Sequence, residues 1–291
     1  MLKLATNSEI PLPSTEGPLL SVENASKRFG TASAPVMIFD KLNFSISQGE
    51  FVSIVGPSGC GKTTLLLCLS GLEGVTAGGV FFKGQKLNGC PPGIAVVFQD
   101  YSRSLLPWKR NIENVVFGMR RVELHSKAQK FEIAADILRT VGLAGFERHY
   151  PWQISGGMQQ RVAIARALAS RSDLVLLDEP FASIDAQTRA DMQDLVLRVF
   201  AEYKQTCILV THDIEESVYM GTRVAVLSRR PSTIIGDFNV NLSFPRDQLL
   251  TREDERFLKL RHQVLELVRS AVRANPAAAG EALAKSDASR T

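Results

Sequence analysis

Gly56-Pro57-Ser58-Gly59-Cys60-Gly61-Lys62-Thr63-Thr64 decides the reading of this sequence. The run fits the phosphate-loop pattern G-x-x-x-x-G-K-[ST] at every fixed position, with Gly56, Gly61, Lys62 and Thr63 in their places. Phe51-Val52-Ser53-Ile54-Val55 before it is short, apolar and β-branched, as a buried strand is. Thr64-Leu65-Leu66-Leu67-Cys68-Leu69 after it suits a helix ending near Gly71. Strand, glycine loop, helix is the frame in which this pattern holds phosphate. Glycines let the backbone approach an anion and take conformations that side chains block. Loop and helix N–H groups point at the β- and γ-phosphates from the positive end of the helix dipole. Lys62 adds a point charge, and the Thr63 hydroxyl is placed for Mg²⁺.

Moving outward, the same pattern of buried strands ending in polar residues recurs. Ile94 to Phe98 ends in Gln99. Leu174 to Leu177 ends in Asp178 and Glu179. Cys207 to Val210 ends in Thr211, His212 and Asp213. In an open α/β sheet, ligands sit beyond the carboxyl ends of the strands, so Gln99, Asp178, Glu179 and His212 converge with the glycine loop on one edge. Leu19 to Ala25, Leu42 to Ile46 and Gly78 to Phe82 read as further strands, and Arg223 to Ser228 as the last core strand. Between residues 100 and 150 strand signals fade. Phe131, Ala134, Ala135, Leu138 and Val141 share one face of a helix over Lys127 to Val141. That marks a helical insertion in an α/β core. Ser155 is an N-cap for a helix to about Ala169, and Ala186 to Tyr203 is amphipathic.

The termini differ in character. Residues 1–18, rich in Pro, Ser, Thr and Gly, predict a flexible lead-in, and the Ala-rich stretch 275–291 a disordered tail. Within 241–274, Thr251 and Asp254 have the spacing of a capping box. Phe257, Leu260, Val264, Leu267 and Val268 form a stripe expected to pack on its own domain.

Composition excludes several classes. The chain of 291 residues is 45% hydrophobic and 22% charged, ordinary for a globular protein. A net charge of +4 is too small to point to nucleic acid. No apolar run nears the ~18 residues of a membrane span, and the first residues lack the apolar centre of a secretion signal, so a soluble, cytosolic chain is expected. Cys60, Cys68, Cys90 and Cys207 form no C-x-x-C pair and read as free buried thiols.

Together these motifs resemble the nucleotide-binding subunit of ABC transporters over residues 20–240. Ile154-Ser155-Gly156-Gly157-Met158 resembles the family signature Leu-Ser-Gly-Gly-Gln, departing at Ile154 and Met158. The resemblance implies an α/β fold of the ABC ATPase type, a P-loop NTPase core with a mixed sheet and flanking helices. A helical subdomain at about 100–170 and an antiparallel β subdomain complete the domain at 19–240. It also implies two copies head to tail, each ATP lying between one copy's Pro57-Ser58-Gly59-Cys60 loop and the other's Ser155, Gly156 and Gly157. Position by position, Asp178 would hold Mg²⁺ with Thr63, and Glu179 would act as general base. Gln99 would sense Mg²⁺ and water, and His212 would contact the γ-phosphate. Asp185 would cross to the opposite site, and Phe29 would stack on adenine unless it packs in the core.

Leu105-Leu106-Pro107-Trp108 and Met158 resemble the importers of nitrate, sulfonates and taurine, whose ATPase sits at the cytoplasmic face of the inner membrane. The helical insertion is where the family docks a transmembrane permease, itself served by a solute-binding protein. Trp108 would either meet that permease or pack in the insertion. The tail is too short for the β-barrel domain of sugar- or polyamine-type importers. A soluble ABC ATPase not coupled to transport, an ABC exporter subunit and a chain that binds ATP without hydrolysing it are the alternatives. The span from Thr64 to Ser155 is too short for the coiled coil of the repair type, and intact Lys62, Asp178, Glu179 and His212 argue for hydrolysis.

Overall fold

Successive side chains of a strand point to opposite faces, and here that alternation divides the core in two. Phe51 and Val55 of β3 (Phe51–Val55) join one apolar cluster, while Val52 and Ile54 join the other. The neighbouring strands β7 (Leu174–Asp178) and β8 (Thr206–Val210) split in the same way. Val175, Leu177, Cys207 and Leu209 lie on the first side; Leu174, Leu176, Ile208 and Val210 lie on the second. Strands buried on both faces are what a helix-covered parallel sheet requires. The computed structural model describes residues 17–31, 34–100, 104–121, 126–182 and 184–273. The expected lead-in up to residue 16, the tail 275–291 and Ser183 lie outside them.

The central sheet has the order β10-β9-β3-β8-β7-β6, with β6 at Ile94–Val97, β9 at Arg223–Leu227 and β10 at Ile234–Asn239. All pairs are parallel except β10 on β9. The sheet is therefore mixed, as expected, but Arg223–Leu227 is not the last strand. The polar residues Gly236, Asp237 and Asn239 hide β10 from a hydrophobic reading, because only its partly buried inner positions meet the core.

The first face is covered by helices: α2 (Asn111–Gly118), α3 (Lys127–Thr140), α4 (Gly156–Ala169), α5 (Ala186–Tyr203), α6 (Ile214–Met220) and α8 (Glu255–Arg273). The second face carries α1 (Lys62–Ser70) and an antiparallel sheet of order β2-β1-β4-β5. Its strands are β1 (Leu20–Phe29), β2 (Val36–Ile46), β4 (Ala77–Phe82) and β5 (Gln85–Lys86). β1 runs on past Ala25 to Phe29, and β2 begins well before Leu42. Register shifts at Ala25 and Lys27, with Asn24 and Lys41 at positive φ, break the alternation that sequence reading relies on.

In α3, Ala134, Leu138 and Val141 are buried as expected, Ile137 joins them, and Phe131 and Ala135 are only partly covered. Ser126 caps this helix by accepting from Gln129 N–H. The C-terminal stripe packs on its own domain, with Phe257 and Val264 buried and Leu260, Leu267 and Val268 against the core. The capping box expected at Thr251 and Asp254 does not form. Asp247 instead accepts from Leu249 and Leu250 N–H to start α7 (Leu250–Glu253), and Asp254 binds Arg256. Cys60, Cys68 and Cys207 are buried, but Cys90 is exposed, in the loop between β5 and β6.

Candidate active site

Five parallel strands end at one edge, and the candidate residues follow four of them, β3, β6, β7 and β8. After β3 the chain turns through Gly56 to Gly61 into α1. Two of these glycines are dictated by space. A Cβ on Gly56 would lie 2.9 Å from the Leu227 carbonyl oxygen, and one on Gly61, whose φ is 108°, would lie 2.4 Å from Ile38 Cγ2. Gly59 also has positive φ. Lys62 opens α1, is buried, and folds back on the loop, donating to the Gly56 and Pro57 carbonyls at 3.0 and 3.3 Å. Ser58 and Thr63 are exposed and Thr64 is partly covered. Cys60 is buried with its thiol pKa raised, chiefly by burial and against the pull of Lys62, so it is not a reactive thiolate.

At the end of β7, Asp178 is buried and accepts from the Thr63 hydroxyl at 3.3 Å. Burial raises its pKa, the Thr63 hydrogen bond opposes this, Glu179 adds to it and Lys62 lowers it. A buried carboxylate beside a hydroxyl is a pair of hard oxygen donors suited to a divalent cation. Among the described residues no three His, Cys, Asp or Glu side chains cluster as a closed metal cage. A cation held by Thr63 and Asp178 would take its remaining oxygens from water or from a bound phosphate.

Glu179 follows with a φ of 44°, a left-handed conformation unusual for this residue. Its N–H reaches the Val210 carbonyl of β8 at 2.9 Å, and its carboxylate Oε2 meets His212 Nδ1 at 3.0 Å. A carboxylate fixed in this way, with a histidine beside it and an anion loop across the edge, can take a proton from water attacking a bound phosphoryl group. Gln99 is exposed two residues beyond β6.

Other expected residues form a second group within the same chain. Ser155 caps α4, its hydroxyl accepting from Met158 N–H, and both Ser155 and Gly156 are exposed. Asp185 caps α5, accepting from Thr188 N–H at 3.0 Å, and that bond lowers its pKa. A Cβ on Gly157 would lie 3.3 Å from Thr188 Cγ2, so the two helix starts stand side by side. This second surface presents N–H groups and a hydroxyl outward, suited to an anion brought by another molecule. Phe29 is 43% exposed, with Lys27 Nζ 4.7 Å from its ring centroid, so it does not pack in the core.

Sequence reading missed Thr211, Glu216 and Arg246. Thr211 donates to Glu216 Oε2 and accepts from Asp213 N–H. Buried Glu216 has its pKa pushed up to about 8, mainly by burial and then by Asp213. Asp213 caps α6 through Glu216 N–H. The Asp-x-x-Glu spacing of a helix start was visible in the sequence. Arg246 gave no such signal, because its partners are backbone carbonyls.

Comparison with known proteins bears on this geometry. A family described as ABC transporter matches residues 39–182. An uncharacterized ABC transporter ATP-binding protein of Methanocaldococcus jannaschii is 42% identical over 253 residues, covering 87% of this chain and 92% of that protein. The nitrate import ATP-binding protein of Synechococcus elongatus is 37% identical over 263 residues, covering 88% and 95%. An aliphatic sulfonates import ATP-binding protein of Bacillus licheniformis is 39% identical over 247 residues, covering 85% and 93%. The dimeric structure of a post-hydrolysis state of an ATP-binding cassette bound to ADP and Pi superimposes with a TM-score of 0.67 at 31% identity, covering 76% of this chain and 98% of that one.

Proposed function

The chain belongs to the ATP-binding proteins of ABC transporters, and from that membership we propose that it energises an importer of a small solute such as nitrate, an alkylsulfonate or taurine. It is an ATPase. The observation that carries the catalytic part is the Glu179–His212 contact of 3.0 Å beside buried Asp178, at the strand edge that holds the phosphate loop.

The roles follow from placement. Main-chain N–H groups from Ser58 to Thr64 and the Lys62 ammonium bind the β- and γ-phosphates. Thr63 and Asp178 would hold Mg²⁺, which would supply positive charge against that developing on the phosphate oxygens. Glu179 takes the proton from the attacking water as that water's oxygen bonds to the γ-phosphorus and ADP leaves. His212 contacts the γ-phosphate while its Nδ1 stays on Glu179, and Gln99 meets the same water. The surface of Ser155, Gly156, Gly157 and Asp185 lies at the starts of α4 and α5, whereas the loop lies between β3 and α1. In a head-to-tail pair each copy supplies that surface to the other's ATP, so one isologous interface completes two equivalent sites. Phe29 stacks on adenine.

The permease meets the helical layer. Leu105 is buried and anchors the loop, while Trp108, three residues on, is 71% exposed. An indole left in water on a loop that follows Gln99 is an anchor for a partner. Among the described residues no helix is long and apolar enough to cross a membrane. By its likeness to import ATP-binding proteins, the chain works at the cytoplasmic face through the permease, which a solute-binding protein supplies from the other side.

The test is to purify the tagged chain from its own membranes in mild detergent. A co-purifying multi-span membrane protein with a solute-binding protein supports the importer, and that protein's ligand names the solute. ATP hydrolysis with no membrane partner overturns the transport reading. A membrane partner that exports solute overturns the direction.

A further inference from the structure

His212 is held unequally on its two sides. Upstream, Thr211 N–H is fixed to the Ile54 carbonyl of the sheet at 3.1 Å. Downstream the chain enters α6, a helix of 7 residues. Helices this short do not persist alone, so the place of α6 is set by what grips it.

Val218, Tyr219 and Met220 bury one face of α6 in the core, Asp213 caps its start, and further polar grips come from the C-terminal segment. Glu215 accepts from Arg252 Nη1 at 3.0 Å and from Arg261 Nη1 at 2.8 Å. Arg252 also lies 5.0 Å from the Tyr219 ring centroid, and its Nη2 reaches Gln193 Oε1 on α5 at 3.2 Å. The Tyr219 hydroxyl donates to Asp194 Oδ1 at 2.6 Å, and Gln248 Nε2 donates to the same oxygen at 2.7 Å. At the far end, buried Arg246 donates to the carbonyls of Val218, Tyr219 and Gly221. These are terminal carbonyls of a kind that a helix leaves without internal partners. α6 is thus held at its first turn and at its last by one stretch of chain.

Energetics separate a local role from a global one. The ion pairs of Glu215 are half-exposed, with side-chain exposures of 44% for Glu215, 29% for Arg252 and 40% for Arg261. Exposed pairs contribute little to folding stability. Two guanidinium groups converging on one carboxylate nevertheless fix direction well. We propose that the segment from Arg246 to Arg261 holds α6, and through it His212, in place against Glu179, with Arg252 and Arg261 as positioning residues for hydrolysis. This rests on the reading of Glu179 and His212 as the hydrolytic pair.

The experiment compares ATP hydrolysis by the full chain, its Glu215→Gln variant and its Arg252→Gln/Arg261→Gln variant. Glu215→Gln is isosteric and half-exposed, so folding is preserved. The expected result is a fall in kcat of about tenfold from misplacement of a contacting group, with KM for ATP and the thermal midpoint unchanged. In a His212→Ala background, measured by single turnover, Glu215→Gln is expected to produce no further loss, because both changes act through the same side chain. An unchanged kcat, a fall that tracks a lowered midpoint, or the same factor lost in the His212→Ala background overturns the proposal. If the unaltered chain hydrolyses no ATP, the hydrolytic reading fails and the latch with it. If it does and Glu215→Gln matches it, the latch alone fails.

Discussion

Glu179 Oε2 and His212 Nδ1 meet at 3.0 Å from the ends of neighbouring strands, β7 and β8, across 33 residues of sequence. The meeting depends on a backbone exception. Glu179 takes a φ of 44° while its N–H stays on the Val210 carbonyl, so the strand pairing extends one residue past Asp178 as the carboxylate turns toward the histidine. Strain of this kind gathers at sites that need a side chain aimed.

Replacing Glu179 by Gln preserves the size and the turn but removes the base. Turnover is expected to fall by ~10²–10⁴-fold, ATP binding to persist, and a dimer to accumulate with ATP. Steady-state hydrolysis and gel filtration check this, and normal turnover would remove Glu179 as the base.

Phe29→Ala is expected to weaken ATP binding by about 1–3 kcal/mol, the range for one base on one aromatic ring. The ring is already exposed, so folding should be unchanged. Calorimetric titration with ATP reads the difference, and an unaltered Kd would leave Phe29 as a surface residue.

Trp108→Ala is expected to reduce association with the permease while the isolated chain binds and hydrolyses ATP as before. Co-purification at matched expression is the readout. Equal recovery of the membrane partner would contradict the role.

Glu216 predicts a pH dependence of stability. Its pKa rises on folding from the ordinary value of 4.5 to about 8 because burial disfavours the anion, and one carboxyl oxygen has no partner. Between those values the folded chain holds a proton that the unfolded chain has lost, so stability falls as pH rises, by at most about 1.4 kcal/mol per pH unit. Denaturant unfolding of Glu216→Gln across this range should show a shallower slope. A slope equal to that of the unaltered chain would place the carboxyl in contact with water.

The strand edge was legible because its chemistry is local. A glycine loop between a buried strand and a helix, and carboxylates ending apolar runs, carry their meaning in a few consecutive residues. Arg246 and Glu215 were not legible, because their partners lie 25 or more residues away and several are backbone atoms. The far half of β1 was lost to register shifts, which erase period-two alternation without disrupting pairing. The Thr251–Asp254 spacing was a correct pattern in the wrong place, since the N–H groups at the start of α7 are taken by Asp247, four residues before Thr251. Phe29 could be identified as an aromatic but not as an exposed one, because exposure depends on what β2 brings alongside.

The chain has 2 tryptophans, and both face solvent in the helical layer: Trp108 at 71% exposure and Trp152, stacked on Tyr150, at 69%. Intrinsic fluorescence is therefore a selective optical probe. It is nearly blind to melting of the core, where no indole sits, and it changes whenever another surface covers the loop after Gln99 or the turn before Ser155. Single-tryptophan variants would separate the two, so that one emission band follows docking at Trp108 and the other follows whatever approaches the signature helix.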